Sequence, residues 1–368
     1  MKTDYNRLQA QIWGLPRSPL RLELVEQAVA MADTMNDISA GYMMRQELMS
    51  EACFGGHPDK LLVAFSWCLA QADKDPQEFP EANLLWKYKW AIANLRDYPQ
   101  ISRGQMESSV ADFSARVARN GASKRTVDHK ACEMAYELGD RAKVQELLPL
   151  WKKGKRDWLS DCLACELDSL VSMSLFLGDE KQALAQVADI LKKGLSCSTV
   201  PYKSYRKALI PLVRAGEYEL AAEYHRRGYL KIKYDLGYLE SISGHLIYLV
   251  LISDQTKALT LFQRHIELAM QSPSPLDRLF FYRASLFLFN HLAKMQRPER
   301  KMQLAQNFPL YEESGRYDTR QLAAWFNTES RHLAAQFDAR AGNSYRMEGI
   351  DELTGLEELI RKPPDKVY

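Results

Sequence analysis

Strand-forming pattern is what this sequence has least of. No stretch sustains the alternation of apolar and polar residues, bounded by Asn-Gly or Asp-Gly turns, that announces a β-hairpin. An excess of one charge is missing too. The 49 Lys and Arg stand against 47 Asp and Glu, a net charge of +2, and this balance argues against nucleic acid as the partner. Apolar runs are short: the richest, Leu246 to Ile252, covers seven residues, whereas a bilayer crossing needs about 18, so no membrane partner is expected. The N-terminus, Met1-Lys2-Thr3-Asp4-Tyr5-Asn6-Arg7, has no signal-peptide apolar core. Six cysteines without regular spacing do not form a secreted disulfide framework, and the expected location is a reducing cytoplasm. His-Glu-x-x-His, Gly-x-Gly-x-x-Gly, phosphate-loop and Gly-x-Ser-x-Gly motifs are all lacking, and no Ser or Cys comes with a spaced His and acid. The chain is therefore expected not to be an enzyme.

What is present is a recurring turn. Helical stretches close at Gly55-Gly56, Asp97-Tyr98-Pro99, Gly139-Asp140, Gly178-Asp179, Gly216-Glu217 and Ser253-Asp254, at intervals of about 37 to 42 residues. A period in this range marks an α-helical repeat array, in which each helix pair buries its apolar face by stacking on its neighbours. Before Gly178 the apolar residues Leu167, Leu170, Val171 and Leu175 line one helical face. Gly178 suits the left-handed residue that ends a helix, and Asp179 can cap the next, over Glu180 to Lys193. The next unit repeats this grammar: Pro201 opens it, Leu209 to Val213 packs, and Gly216-Glu217 turns. Five positions after the turn a small residue returns as Ala183, Ala221 and Ala258, with Val144 at the matching place after Gly139. A small side chain there lets the two helices of a hairpin approach closely.

These turn segments, Tyr136-Glu137-Leu138-Gly139-Asp140 and Leu175 to Ala183, resemble those of the tetratricopeptide-like family of bacterial helical-repeat proteins, most clearly from Ala131 to Met270. The repeat here is longer than that family's usual 34 or so residues, and the full Trp/Leu-Gly/Tyr signature is missing. The chain is also similar to bacterial proteins of this type that carry the segments Trp67 to Gln71, Leu85 to Trp90 and Ser160 to Cys165. The resemblance implies an all-α fold, an α-α superhelix (solenoid) of tetratricopeptide-like hairpins. It also implies a scaffold or adaptor role in binding another protein or peptide segment. The expected organisation is capping helices over 1–50, a repeat array over 51–272, and C-terminal helices and tail over 273–368. Among the capping helices, Pro16 and Pro19 separate the first from the second. In the C-terminal region a pair of long helices, around 276–296 and 317–341, flanks a connection containing Pro298, and Lys362-Pro363-Pro364-Asp365-Lys366 reads as a tail.

In such arrays the first helices of successive pairs line a groove. The residues expected there are His129, Tyr136, Asp168, Tyr202, Arg206 and His245, with Lys203 and Lys207 beside them and Trp86 and Trp90 as anchors. Trp86 and Trp90 are four residues apart and share a face, which suits a core role equally. From 150 to 234 there are 15 Lys or Arg against 10 Asp or Glu, a surplus that fits a solvated face or an acidic peptide partner.

Two groups have metal-ligand chemistry. Cys162-Leu163-Ala164-Cys165 opens a first helix, and Cys197 precedes the next one, so stacking of repeats brings three sulfurs to one edge. Packed thiols, a structural zinc and a redox pair all remain open for Cys162, Cys165 and Cys197; the zinc needs a fourth ligand. His129, Cys132 and Glu133 share one helical face and read more simply as a partly buried polar surface. A nucleic-acid-binding solenoid using the basic middle, or a metal or redox component using the cysteines, is the alternative to the peptide-binding scaffold.

Overall fold

The computed structural model describes residues 1–295 and 299–361. The Pro298 connection and the tail from Lys362 lie outside the described residues. The chain is all-α, with seventeen α-helices and one two-stranded sheet among the described residues. No described helix is long and apolar enough to cross a membrane. Backbone contacts divide the chain into two units: Met1–Met134 with Gln145–Ser160, and Ala135–Val144 with everything from Asp161 on. The division falls inside α7 (Lys124–Glu137) and α8 (Arg141–Lys153).

In the first unit, α1 (Lys2–Gly14) stops before Pro16, and Ser18 caps α2 (Pro19–Thr34) by accepting from the Arg21 N–H, with Pro19 in the first turn. Asp37 caps α3 (Ile38–Gly55), which ends at Gly56 in the left-handed region, φ 76°. Next come α4 (Pro58–Lys74), α5 (Leu85–Asn94) and α6 (Arg103–Arg119), the last opened by a Ser102–Gln105 capping box. Each of α2 to α5 packs on its successor around Val25, Met44, Leu61, Phe65 and Phe113, all buried. At about 25 cal/mol per Å² of apolar surface, each large side chain in this set stabilises the fold by roughly 1.5–3 kcal/mol before chain entropy is charged against it.

In the second unit the helices come in hairpins: α9 (Leu163–Phe176) with α10 (Glu180–Lys192), α11 (Tyr202–Arg214) with α12 (Tyr218–Ile232), and α13 (Leu239–Leu251) with α14 (Gln255–Gln271). Each first helix also packs on the next first helix, α9 on α11, α11 on α13, and α13 on α15 (Pro275–Ala293). The turns behave as the sequence implies. Gly139, Gly178, Gly216 and Ser253 are all left-handed, and Asp179 and Asp254 accept the N–H of Gln182 and Lys257. Ala183, Ala221, Ala258 and Val144 are buried. Polar bonds link elements 35 to 40 residues apart: Ser204 donates to Asp168, Tyr238 to the Ser198 carbonyl and Arg264 to Tyr229.

Two features differ from the sequence reading. β1 (Glu299–Lys301) pairs antiparallel with β2 (Arg316–Asp318) between α15 and α16 (Thr319–Ala341). Only Tyr317 of the two strands is fully buried, so no alternation was there to be read. After the left-handed Gly342 comes α17 (Tyr345–Gly355), which packs on α15 and α16.

Candidate functional site

The three sulfurs do converge. Cys162 is the N-cap of α9, and its Sγ accepts the Cys165 N–H at 3.5 Å. Cys165 sits one turn into the helix, so its Sγ lies on the same edge, 3.1 Å from the Sγ of Cys197 in the connection between α10 and α11. All three Sγ atoms lie within 4.8 Å of one another, and Cys162 is exposed while the other two are half-buried. The Thr199 N–H, at 3.5 Å, donates to Cys197 Sγ. The contact with Cys197, helped by burial, pushes the Cys165 thiol up. The same contact, aided against burial by the Thr199 hydrogen bonds, draws the Cys197 thiol down to about 5. Thiolate is the form that binds metals and attacks electrophiles.

A second constellation gathers where α17 meets the first helices. The Arg346 Nη2 donates to both the Glu137 carbonyl and the Glu137 Oε2, each at 2.8 Å, with both side chains buried. Burial works against the charged Arg346, but Glu137, Tyr345 and Tyr136 together outweigh it and hold its pKa above the ordinary value. Asn343 donates to the Leu138 carbonyl at 2.7 Å. Phe176, at the end of α9, is edge-on to Tyr136 at 5.3 Å and to Tyr345 at 5.4 Å. Gly139 is needed here twice over. Its φ is +71°, and a Cβ would lie 2.5 Å from the Tyr345 ring. Burial, reinforced by Tyr345 and Glu137, raises the Tyr136 pKa well above its ordinary value. Arg283 of α15 comes up under the backbone of Gly349 in α17, and no carboxylate lies within ion-pairing distance of it among the described residues. Burial draws its pKa down to about 10, with Arg346 adding to the effect.

The expected groove residues lie in varied surroundings. Tyr136 faces α17, and Arg206 is not a free exposed cation. It is ion-paired with Glu240, and its methylenes fill the space a Cβ on Gly244 would need. Lys207 donates to the Asp168 carboxylate and carbonyl, both at 2.8 Å, and burial lowers its pKa against the pull of Asp168. His245 is fully buried with its Nδ1 3.0 Å from that of His225; burial, then His225, holds its pKa well below the usual histidine value. His129 is buried too, stacked on Trp151 at 3.9 Å with its Nε2 3.1 Å from Glu133. His129 and His245 are thus core groups, and Gly228 lies against the His245 ring. Tyr202 and Lys203 stay half-buried at the start of α11, with Tyr202 edge-on to Tyr238 at 6.4 Å.

In the first unit, Trp86 is 37% exposed under the Lys89 Nζ at 3.3 Å, and Lys89 itself is buried and donates to the Leu159 carbonyl at 2.7 Å. Trp90 is half-buried, edge-on to Phe54 at 5.4 Å, with the Lys87 Nζ at 4.2 Å. Of the pair, Trp86 is the more exposed. Sequence reasoning missed Tyr345 and Arg346 altogether; the run Ala341-Gly342-Asn343-Ser344, a helix stop and then turn formers, was the available signal. It also missed Leu230 and Tyr234, 61% and 78% exposed at the end of α12, with Lys233 and Arg264 near the Tyr234 ring. Compared with known protein-family models and with curated proteins, the chain finds no match.

Proposed function

We propose that the chain is a non-enzymatic scaffold, an α-α superhelix of tetratricopeptide-like hairpins that binds a protein segment on the face of its first helices. The observation that supports this reading is the seating of α17. A helix from elsewhere in the chain is received there by an aromatic edge (Phe176), a carboxylate (Glu137), two main-chain carbonyls and a glycine that makes room for Tyr345. This is helix recognition by a few anchors. A partner carrying an aromatic residue and then arginine on one turn of helix would use the same contacts, and Arg283 would receive an acidic group on it.

The test uses the full chain with Arg346→Glu, which sets two carboxylates against each other and releases α17. A fluorescent peptide spanning residues 343–361 should then bind saturably, and a peptide with the same Arg→Glu change should bind only to a chain that carries Glu137→Arg with Arg346 kept, in which two arginines repel and α17 is again released. A released variant that keeps its helical circular dichroism yet binds neither peptide would remove the first-helix face as a segment-binding surface.

The basic middle supports a nucleic-acid reading less well, since Arg206, Lys207, Lys193 and Arg227 are each already paired with a carboxylate.

A further inference from the structure

The cysteine edge carries an inference that does not depend on segment binding. Three thiols within 4.8 Å of one another are more than a disulfide uses, and a disulfide between Cys165 and Cys197 would leave Cys162 without a role. Tetrahedral zinc–sulfur bonds of about 2.3 Å set sulfurs about 3.8 Å apart, a spacing these side chains reach by small rotations from 3.1–4.8 Å. The surrounding donors are also arranged for anionic sulfur. One backbone N–H points at Cys162 Sγ and another at Cys197 Sγ, and Cys162 stands at a helix N-terminus, where negative charge is favoured. Three thiolates this close repel one another strongly, and a cation among them removes that penalty.

From this geometry we propose that Cys162, Cys165 and Cys197 bind one thiophilic divalent cation of the zinc class. Three thiolates hold it, the remaining position is open to an exchangeable ligand, and the ion staples the start of α9 to the connection ahead of α11. On binding, each thiol still protonated gives its proton to the buffer as its sulfur coordinates, and no electrons are exchanged. No fourth Cys, His, Asp or Glu joins the group among the described residues, and Cys162 is exposed, so the open position faces water.

The experiment takes the full chain, reduced with a phosphine and freed of metal, and titrates Zn(II) against a chromophoric chelator and Co(II) by absorption. About one zinc per chain is expected, together with the sulfur-to-cobalt charge-transfer band of a thiolate site. Zinc should protect all three thiols from alkylation and raise the melting temperature of the native chain. Cys162→Ser and Cys197→Ser should each lose the band and the protection, while Cys53→Ser keeps them. No zinc uptake by the reduced native chain would overturn the proposal without relying on any variant, and so would uptake unchanged by Cys197→Ser. A Cys165–Cys197 cross-link that forms on air oxidation as fast with zinc as without it would overturn it as well, leaving a redox pair in its place.

Discussion

Removing the Arg346 side chain tests how α17 is held. The Arg346–Glu137 pair has side-chain exposures of 6% and 10%, and its two hydrogen bonds are 2.8 Å long. A pair this dry lies far from the regime in which surface ion pairs contribute about 0–1 kcal/mol. Deleting one partner of a buried pair costs about 3–5 kcal/mol, mostly because the other charge stays buried without it. Arg346→Met keeps much of the side-chain volume, so the loss reports charge and hydrogen bonding in the main. The stacking of the guanidinium over Tyr345 at 4.9 Å adds about 0.5–1 kcal/mol more. Glu137→Gln alone should also destabilise, while the double variant should cost clearly less than the sum of the two, a coupling of about 1–3 kcal/mol. The assay is urea unfolding of the four proteins, monitored by circular dichroism and by hydrogen exchange at Leu138 and Gly139. A single-variant cost below about 1 kcal/mol, or strict additivity, would show the pair to be solvated and the seating of α17 to be loose.

The remaining predictions concern protons and turns. His225 packs against His245, Tyr248 and Tyr229, and burial, with Lys257 adding and Asp254 opposing, lowers its pKa to about 4. Since its folded pKa is depressed below the unfolded value of about 6.5, stability is complete above pH 6.5 or so and is lost as pH falls toward 4, by about 3 kcal/mol for this one group; His225→Phe should flatten the urea-midpoint profile over that window, and an unchanged slope would place the proton elsewhere. Gly178→Ala and Gly139→Ala both impose the left-handed penalty of about 1–2 kcal/mol. Only Gly139→Ala also drives a methyl into Tyr345, so it should cost roughly 1–3 kcal/mol beyond that, and equal costs in thermal melts would mean that α17 yields freely.

The helices and their turns were legible because each is decided locally. A glycine or Asx turn after an apolar face, and a small residue five positions later, are printed in adjacent residues, and Gly139, Gly178, Gly216 and Ser253 all turn as read. The cysteine edge was legible for a related reason: Cys162 caps the start of α9 and Cys197 lies just ahead of α11, and α9 packs on α11. The groove was not legible, because whether Arg206 or His245 meets solvent depends on what covers it. Arg206 meets Glu240, 34 residues away, and Glu137 meets Arg346, 209 residues away; no periodicity within a helix encodes either pairing. The β-hairpin escaped for want of a pattern, its strands being charged except for Tyr317. On the proposed segment-binding reading, these pairings set an order of competition. A segment approaching the Glu137 and Phe176 end of the first helices must displace α17 and break a buried ion pair, whereas one approaching Tyr202 and Lys203 at the start of α11 meets half-buried side chains and has no such barrier. Binding at the first place should therefore be slow and sensitive to Arg346, and binding at the second should be fast and sensitive to charge at Lys203.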